Sequence, residues 1–374
     1  MGERQVRILV TGSGGFIGKN LIQQLSFMED MTVYPYDIDT DPALLSEYAK
    51  DCDIVYHLAG INRPEREEEF MEGNFGFTNT LLDALEAAGS TAKIVVSSSI
   101  QAELDNPYGI SKKAGEEAVR EHGKKCGADV VIYRFPNVFG KWCRPNYNSA
   151  VATFCNNIAR DLPIKVNDPE VLLHLVYIDD VVAELIGCME DKEHVKDGYG
   201  YVPCVYDVKL GRIPELLYSF KESRKDLSLP DLSDAFSKKL YSTYLSYLPE
   251  DDLSYPLVMH EDERGSFTEF LKTDDRGQVS VNISHPGIVK GNHWHNTKNE
   301  KYLVVKGEGL IKLRKVGTDK VIEYRVSSDK LEVVDIPCGY THSIANVGDT
   351  DMATVMWVNE IFDPDTPDTY YEEV

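Results

Sequence analysis

The sequence predicts two unlike parts: an α/β part on a doubly wound parallel sheet over residues 1–245, and an all-β part over residues 246–374. Three observations predict it. Short β-rich runs alternate with helical patterns through the first two thirds of the chain, strand-like runs alone follow residue 245, and 374 residues exceed one ordinary domain. In the first part, Val6–Thr11 is an apolar, β-branched run that reads as a buried strand, and Gly18–Met28 has the apolar spacing of an amphipathic helix. Met31–Tyr36 and Asp53–Ala59 are the next strands, and Asn74–Ala88 the next helix. Lys93–Ser97, a helix over Pro107–His122 and a strand over Val130–Arg134 continue the alternation, which implies parallel pairing with helices on both faces.

In the second part, strand-like runs recur with turn signals between them: 266–272, 278–284, 301–306, 309–314, 320–326, 331–336 and 352–358. Helical periodicity is absent, so a sandwich or barrel is expected. The junction Leu240–Pro256 is rich in tyrosine and apolar residues, which suggests a packed connection.

Composition narrows the function. With 39 Lys+Arg against 62 Asp+Glu, the net charge is −23, which disfavours nucleic acid. It leaves room for a phosphate-bearing small ligand, which backbone N–H groups bind whatever the net charge. No apolar stretch nears the ~20 residues of a membrane span, and the amino terminus shows no signal-peptide pattern. Seven scattered cysteines without a CxxC read as reduced thiols of a cytoplasmic protein.

Two motifs carry chemistry in the first part. Between the first strand and helix lies Gly12-Ser13-Gly14-Gly15-Phe16-Ile17-Gly18. Glycines at 12, 15 and 18 let the backbone approach a pyrophosphate at the helix amino terminus. Asp37, at the end of the second strand, is placed to bind adenosine ribose hydroxyls and to repel a 2′-phosphate. The second motif is Tyr108-Gly-Ile-Ser-Lys112, opening a helix that Asn106 can cap with Pro107 at its first position. Tyr108 and Lys112 stand one turn apart, so the ammonium is expected to lower the phenol pKa. Ser97-Ser98-Ser99 ends a strand and can orient a substrate oxygen.

Together with His57-Leu58-Ala59-Gly60, Asn74, Arg134-Phe-Pro-Asn137-Val-Phe-Gly140 and Val176-Tyr-Ile-Asp179-Asp180, these residues resemble the extended short-chain dehydrogenase/reductases, Rossmann-type enzymes. The resemblance implies a catalytic set of Ser99, Tyr108 and Lys112, with Ser98 the alternative serine. It implies a cofactor cradle of Gly12, Gly15, Phe16, Ile17, Gly18, Asp37, Leu58, Ala59, Gly60, Tyr108 and Lys112, and substrate contacts from Asn74, Ser99 and Asn137. Arg134, Asp179 and Asp180 read equally well as ion-paired scaffold.

In the second part the spacing Gly287-x5-His293-x-His295-x4-Glu300-x6-Gly307 is followed by Pro337-x-Gly339-x2-His342-x3-Asn346. Alternation along a strand points His293 and His295 the same way. Three imidazoles and a carboxylate suit a divalent transition metal. The pattern resembles the cupins, small double-sheet jelly-roll barrels, with Leu331 where a turn glycine is expected. That resemblance implies His293, His295, Glu300 and His342 as ligands.

The order of the parts, with Asp262-Glu-Arg-Gly-Ser-Phe-Thr-Glu-Phe270 and Gly291-Asn-His-Trp-His295, resembles the CapF-type bifunctional capsule enzymes. The resemblance implies a zinc-containing homodimer acting on a UDP-linked 4-keto-6-deoxy amino sugar, without nucleic acid or membrane insertion. The cupin part would epimerise C3 and the reductase part would reduce C4 with NADPH. The charge of Asp37 argues instead for NADH, and Lys19 or Arg63 are the nearest candidates to neutralise a 2′-phosphate. The metal would act as a Lewis acid on the enolate or hold the fold. Lys290, Tyr302 and Tyr340 are the candidates for the C3 acid and base. Two other readings keep the same residues: a single-activity reductase or 4-epimerase with a structural, dimerising cupin, and a non-catalytic regulator that binds dinucleotide or sugar.

Overall fold

The computed structural model describes residues 5–374, and the chain divides into two compact units. One unit runs to residue 218 and takes in 235–249; the other comprises 219–234 and 250–374.

The first unit is built on β1 (Val6–Thr11), β2 (Met31–Tyr36), β3 (Ile54–His57), β4 (Lys93–Ser99) and β5 (Val130–Phe135). They pair in parallel in the order β2-β1-β3-β4-β5. The helices between them are α1 (Phe16–Leu25), α2 (Ala43–Asp51), the single turn α3 (Glu68–Phe70), α4 (Phe77–Ala87) and α5 (Pro107–Cys126). Along the chain there follow β6 (Asn137–Phe139), α6 (Ala150–Ala159), β7 (Leu172–Tyr177), β8 (Val195–Lys196), β9 (Tyr199–Gly200), β10 (Tyr206–Lys209) and α8 (Arg212–Asp226). Both faces of the sheet are covered, as the near-continuous apolar strands require. Ile8, Val10, Tyr56, Val95 and Tyr133 point to one face, where α1 and α7 (Ile178–Gly187) lay down Leu21, Leu25, Val181 and Leu185. Leu9, Val55, Ile94, Val96 and Ile132 point to the other, against Leu45, Leu81, Leu85 and Val119. Burying each of these side chains contributes about 1.5–3 kcal/mol.

Several expected boundaries move by a few residues, two of them at helix starts. The first helix starts at Phe16, because Gly15 already serves as its extended N-cap. The helix expected from Asn74 is preceded by a π-turn over Met71–Gly76, and regular α-helix begins only at Phe77. α5 starts as its sequence requires: the Asn106 side chain accepts from the Gly109 N–H at 2.8 Å, and Pro107 takes the first position. α9 (Ala235–Leu245) buries Leu240 and Tyr244 in the first unit, so this stretch of the expected junction is packed. Among the described residues no helix is long and apolar enough to cross a membrane. All seven cysteines are unpaired.

The second unit is antiparallel throughout its two sheets. One sheet has six strands: β11 (Met259–Asp262), β12 (Gly265–Thr273), β13 (Gly277–Ser284), β20 (Met352–Val358), β15 (Glu300–Lys306) and β18 (Val333–Ile336), in that order. The other has five: β17 (Val321–Ser327), β16 (Glu308–Lys315), β19 (Tyr340–Asn346), β14 (Val289–Trp294) and β21 (Tyr370–Tyr371). Two antiparallel sheets are what the double-sheet jelly roll implied by the resemblance requires, and among the described residues no strand pairing joins them. The closure is made by side chains instead: Tyr302, Val304 and Val334 of one sheet pack with Ile311, Leu313 and Ile344 of the other.

Candidate functional site

In the first unit the site is assembled at the carboxyl ends of the strands, where the order reverses between β2-β1 and β3. Gly12 has a left-handed φ of 68°, and a Cβ there would lie 2.6 Å from the Ala59 nitrogen. A Cβ on Gly18 would lie 2.2 Å from the Gly12 carbonyl oxygen. These two glycines therefore permit the first loop to nest against Leu58-Ala59-Gly60, and Phe16 and Ile17 enter α1 from that loop. Asp37 folds back on the same loop: its carboxylate accepts from the Gly14 N–H at 2.6 Å and from the Ile38 N–H at 2.8 Å.

The serine run divides by environment. Ser98 is buried and its hydroxyl donates to Glu116. Ser99, at the strand end, shares a hydrogen bond with Tyr108 and accepts from the Gln101 N–H at 3.2 Å. Geometry thus favours Ser99 over Ser98 as the group available to a substrate oxygen. The Lys112 ammonium donates to the Ser97 carbonyl at 2.7 Å, and burial lowers its pKa to about 8. The expected lowering of the Tyr108 pKa is not what the structure gives. Burial raises it above 10.0, and the hydrogen bond from Ser99 offsets only part of that rise.

Asn74 is occupied on every side. Its Oδ1 accepts from the Ile61 N–H at 2.8 Å, and its amide donates to the Ile61 carbonyl at 3.1 Å and to the Ser111 hydroxyl at 2.9 Å. Both amide protons are used, so the side chain ties the 58–61 loop to α5. Beneath it lies His57, whose Nδ1 is 2.7 Å from the Thr11 hydroxyl and whose Nε2 is 2.8 Å from the Thr78 hydroxyl. Burial, with Lys112 nearby, drops the His57 pKa to about 3, so it is neutral. A small polar cavity between His57, Asn74, Ser98, Lys112 and Glu116, of about 10 Å³, has room for about one water molecule.

Asn137 is exposed at the start of the short strand Asn137–Phe139. Arg134 makes a bidentate pair with buried Glu116, at 2.9 and 2.6 Å, and lies over the Tyr199 ring. Asp179 pairs with Lys141, and Asp180 with Lys239 at 2.6 Å. All three show the ion-paired arrangement of scaffold residues. Glu116 was missed in the sequence, although it lies one turn beyond Lys112 on the same helix face.

In the second unit, His293 lies on β14, His295 just beyond it, Glu300 starts β15 and His342 lies on β19. Their ligand atoms all lie within 4.8 Å of one another. A bulge with Asn292 at φ 59° sets His293, rather than Asn292, opposite His342. Each imidazole has one ring nitrogen near a main-chain carbonyl: His293 at Gly291, His295 at Asp368 and His342 at Tyr340. The Nε2 atoms of His295 and His342 are buried without a hydrogen-bond partner. They lie 3.8 and 2.9 Å from Glu300 Oε2, to which the Tyr302 hydroxyl donates at 3.0 Å. Burial and the neighbouring imidazoles lower the His293 pKa to about 4. Burial alone would raise Glu300, but the surrounding histidines hold it below the usual carboxylate value. Three imidazoles and a carboxylate, with buried His295 and His342 Nε2 atoms converging on Glu300, fit a divalent metal ion.

Lys290 pairs with Ile344 across β14 and β19, and its ammonium donates to Asn282 Oδ1 at 2.6 Å and to the Ile283 carbonyl at 2.8 Å. Tyr302 is committed to Glu300, and Tyr340 is half-buried.

Residues 8–202 match the NAD dependent epimerase/dehydratase family, and residues 260–370 match the polysaccharide biosynthesis C-terminal domain. A UDP-2-acetamido-2,6-beta-L-arabino-hexul-4-ose reductase of Pseudomonas aeruginosa is 45% identical over 365 residues, 98% of each chain. The capsular polysaccharide assembling protein CapF of Staphylococcus aureus superposes with a TM-score of 0.93 at 56% identity, over 98% of this chain and 100% of that one. A UDP-glucuronic acid 4-epimerase of Bacillus cereus shares the fold alone, with a TM-score of 0.55 at 20% identity over 65% of this chain and 98% of that one.

The Arg134–Glu116 pair yields a stability prediction. Arg134→Met leaves a buried carboxylate with Ser98 as its main partner and should cost about 3–5 kcal/mol. Chemical denaturation of the variant checks this; a change below about 1 kcal/mol would show that the pair is not a clamp.

Proposed function

The chain belongs to the NAD dependent epimerase/dehydratase family, and we propose that it is a bifunctional capsule-sugar enzyme acting on UDP-2-acetamido-2,6-dideoxy-β-L-arabino-hexos-4-ulose. The first unit reduces the C4 ketone with NADPH, and the second, holding zinc, epimerises C3. The product is UDP-2-acetamido-2,6-dideoxy-β-L-talose. The observation that carries the reductase reading is the Ser99–Tyr108 hydrogen bond, with Lys112 one turn along the helix, at the strand ends beside the glycine loop. A relative 45% identical along almost the whole chain supports the substrate class.

A bound dinucleotide supplies the hydride. The residues do the rest. Ser99 holds the C4 oxygen, and the Tyr108 hydroxyl gives it a proton as C4 becomes a carbinol. Burial keeps Tyr108 protonated, which is the form a proton donor needs. Lys112 binds the ribose. Asp37 already bonds the Gly14 amide, so its negative charge sits at the rim of the proposed cradle and makes NADH the alternative cofactor.

In the second unit the C4 ketone acidifies the C3 proton. Zinc held by His293, His295, Glu300 and His342 would contribute positive charge toward the enolate or brace the two sheets. Among the candidate bases, burial moves Lys290 below its usual pKa, toward a range where it can take a proton. Seven unpaired thiols suit a reducing, cytoplasmic setting. The homodimer implied by resemblance belongs to this reading.

Three outcomes test it. Tyr108→Phe should lower the reduction rate about 10²–10⁴-fold while leaving dinucleotide affinity near wild type, as followed by nicotinamide absorbance and fluorescence titration. Lys112 is charged below its pKa of about 8, so reduction should weaken as pH rises through that value. A pH–rate profile flat to pH 10 would remove Lys112 from the mechanism. Finally, proton NMR in deuterated buffer without dinucleotide should show C3–H exchange in Tyr108→Phe and none in His295→Ala. Exchange absent from the zinc-loaded wild type would instead leave a simple reductase with a structural second unit.

A further inference from the structure

Asp368 lies far along the chain from the four clustered ligands, in a segment without motif character, yet it touches both a ligand and the turn between two ligands. Its carbonyl oxygen is 2.5 Å from His295 Nδ1. A proton held there leaves Nε2 as the bare nitrogen, the atom that faces Glu300 and has no hydrogen-bond partner. Its carboxylate accepts from the N–H groups of Asn296, Thr297 and Lys298 at 3.0, 2.9 and 3.3 Å, and from the Thr297 hydroxyl at 3.0 Å. Those residues form the turn from His295 to Glu300. Asp368 can serve both because its backbone is left-handed, with φ 42°, a conformation aspartate tolerates better than most residues.

The neighbouring residues fasten the same segment along the ligand strand. Tyr370 and Tyr371 pair with Trp294 and His293, and the Tyr370 ring stacks on Trp294 at 4.7 Å. The Glu372 N–H donates to the Asn292 carbonyl at 3.0 Å, and the Lys298 ammonium donates to the Pro367 carbonyl at 2.5 Å. The Thr341 hydroxyl, beside His342, donates to the Glu372 carbonyl at 2.5 Å.

We propose that residues 367–372 form a positioning strap for the metal centre, with Asp368 setting the tautomer and aim of His295 and fixing the turn that brings Glu300 to it. Packing alone would not need this arrangement. The polar contacts of Asp368 end on a ligand ring and on each of the three residues after it. The inference rests on the reading of the histidine–glutamate cluster as a metal site.

The test uses the full-length protein stripped of metal and titrated with Co²⁺, following its visible ligand-field absorption and a competing chelator. Asp368→Asn places an NH₂ group where three N–H donors need an acceptor. It should weaken Co²⁺ binding about 10–100-fold and change the shape of the absorption bands. Asp368→Glu should recover part of the loss, and Thr297→Val, which removes one of the four hydrogen bonds, should cost several-fold. Thr297→Val keeps the test decisive if Asp368→Asn does not fold. Variants that match the wild type in affinity and spectrum would overturn the strap while leaving the metal site standing. A wild type that takes up no Co²⁺ would overturn both.

Discussion

The first unit depends on a contact that only a missing side chain allows. Gly12 comes so close to Ala59 that any Cβ would overlap the main chain. That closeness lets the loop after β1 and the loop after β3 share one crevice at the reversal of strand order. The rest follows from it. Asn74 grips the far side of the second loop through Ile61, and passes the hold to α5 through Ser111. α5 carries Tyr108 and Lys112 at its start and Glu116 one turn further on. Neutral His57, wedged between Thr11 and Thr78, satisfies the buried polar atoms under this layer.

The second unit solves a different problem, that of converging four polar groups inside an apolar sandwich. Its answer is main-chain carbonyls. Each histidine has one nitrogen at a carbonyl, and the other is left for the shared centre. The bulge at Asn292 supplies the one-residue shift that sets His293 opposite His342. Both units thus use backbone geometry first and charge second, even though the chain carries a net charge of −23.

Much of this was legible in the sequence. The glycine spacing at 12, 15 and 18, the Tyr108–Lys112 turn and the His293, His295, Glu300 and His342 set are local patterns, and local spacing predicts which side chains share a face. The strand and helix alternation gave the parallel sheet for the same reason. Less legible were the roles decided by burial. Ser98 and Ser99 are neighbours, yet Glu116 takes the first and leaves the second at the strand end. Asn74, expected as a substrate contact, ties the loop to the helix through Ile61 and Ser111, a role its local sequence does not signal. The Tyr108 pKa moved opposite to expectation because enclosure outweighs the hydrogen bond from Ser99.

By itself, the sequence determined the order of the two parts, the glycine loop, and the residue types that meet at each centre. These follow from short-range periodicity, turn chemistry and motif spacing. The tertiary structure alone decided which polar atoms remain available, that the two sheets of the all-β part meet through side chains and not through strand pairing, and that Asp368 reaches back to His295 across 73 residues. Those outcomes turn on contacts between distant residues and on which groups lose their water, and neither is written into any local run of sequence.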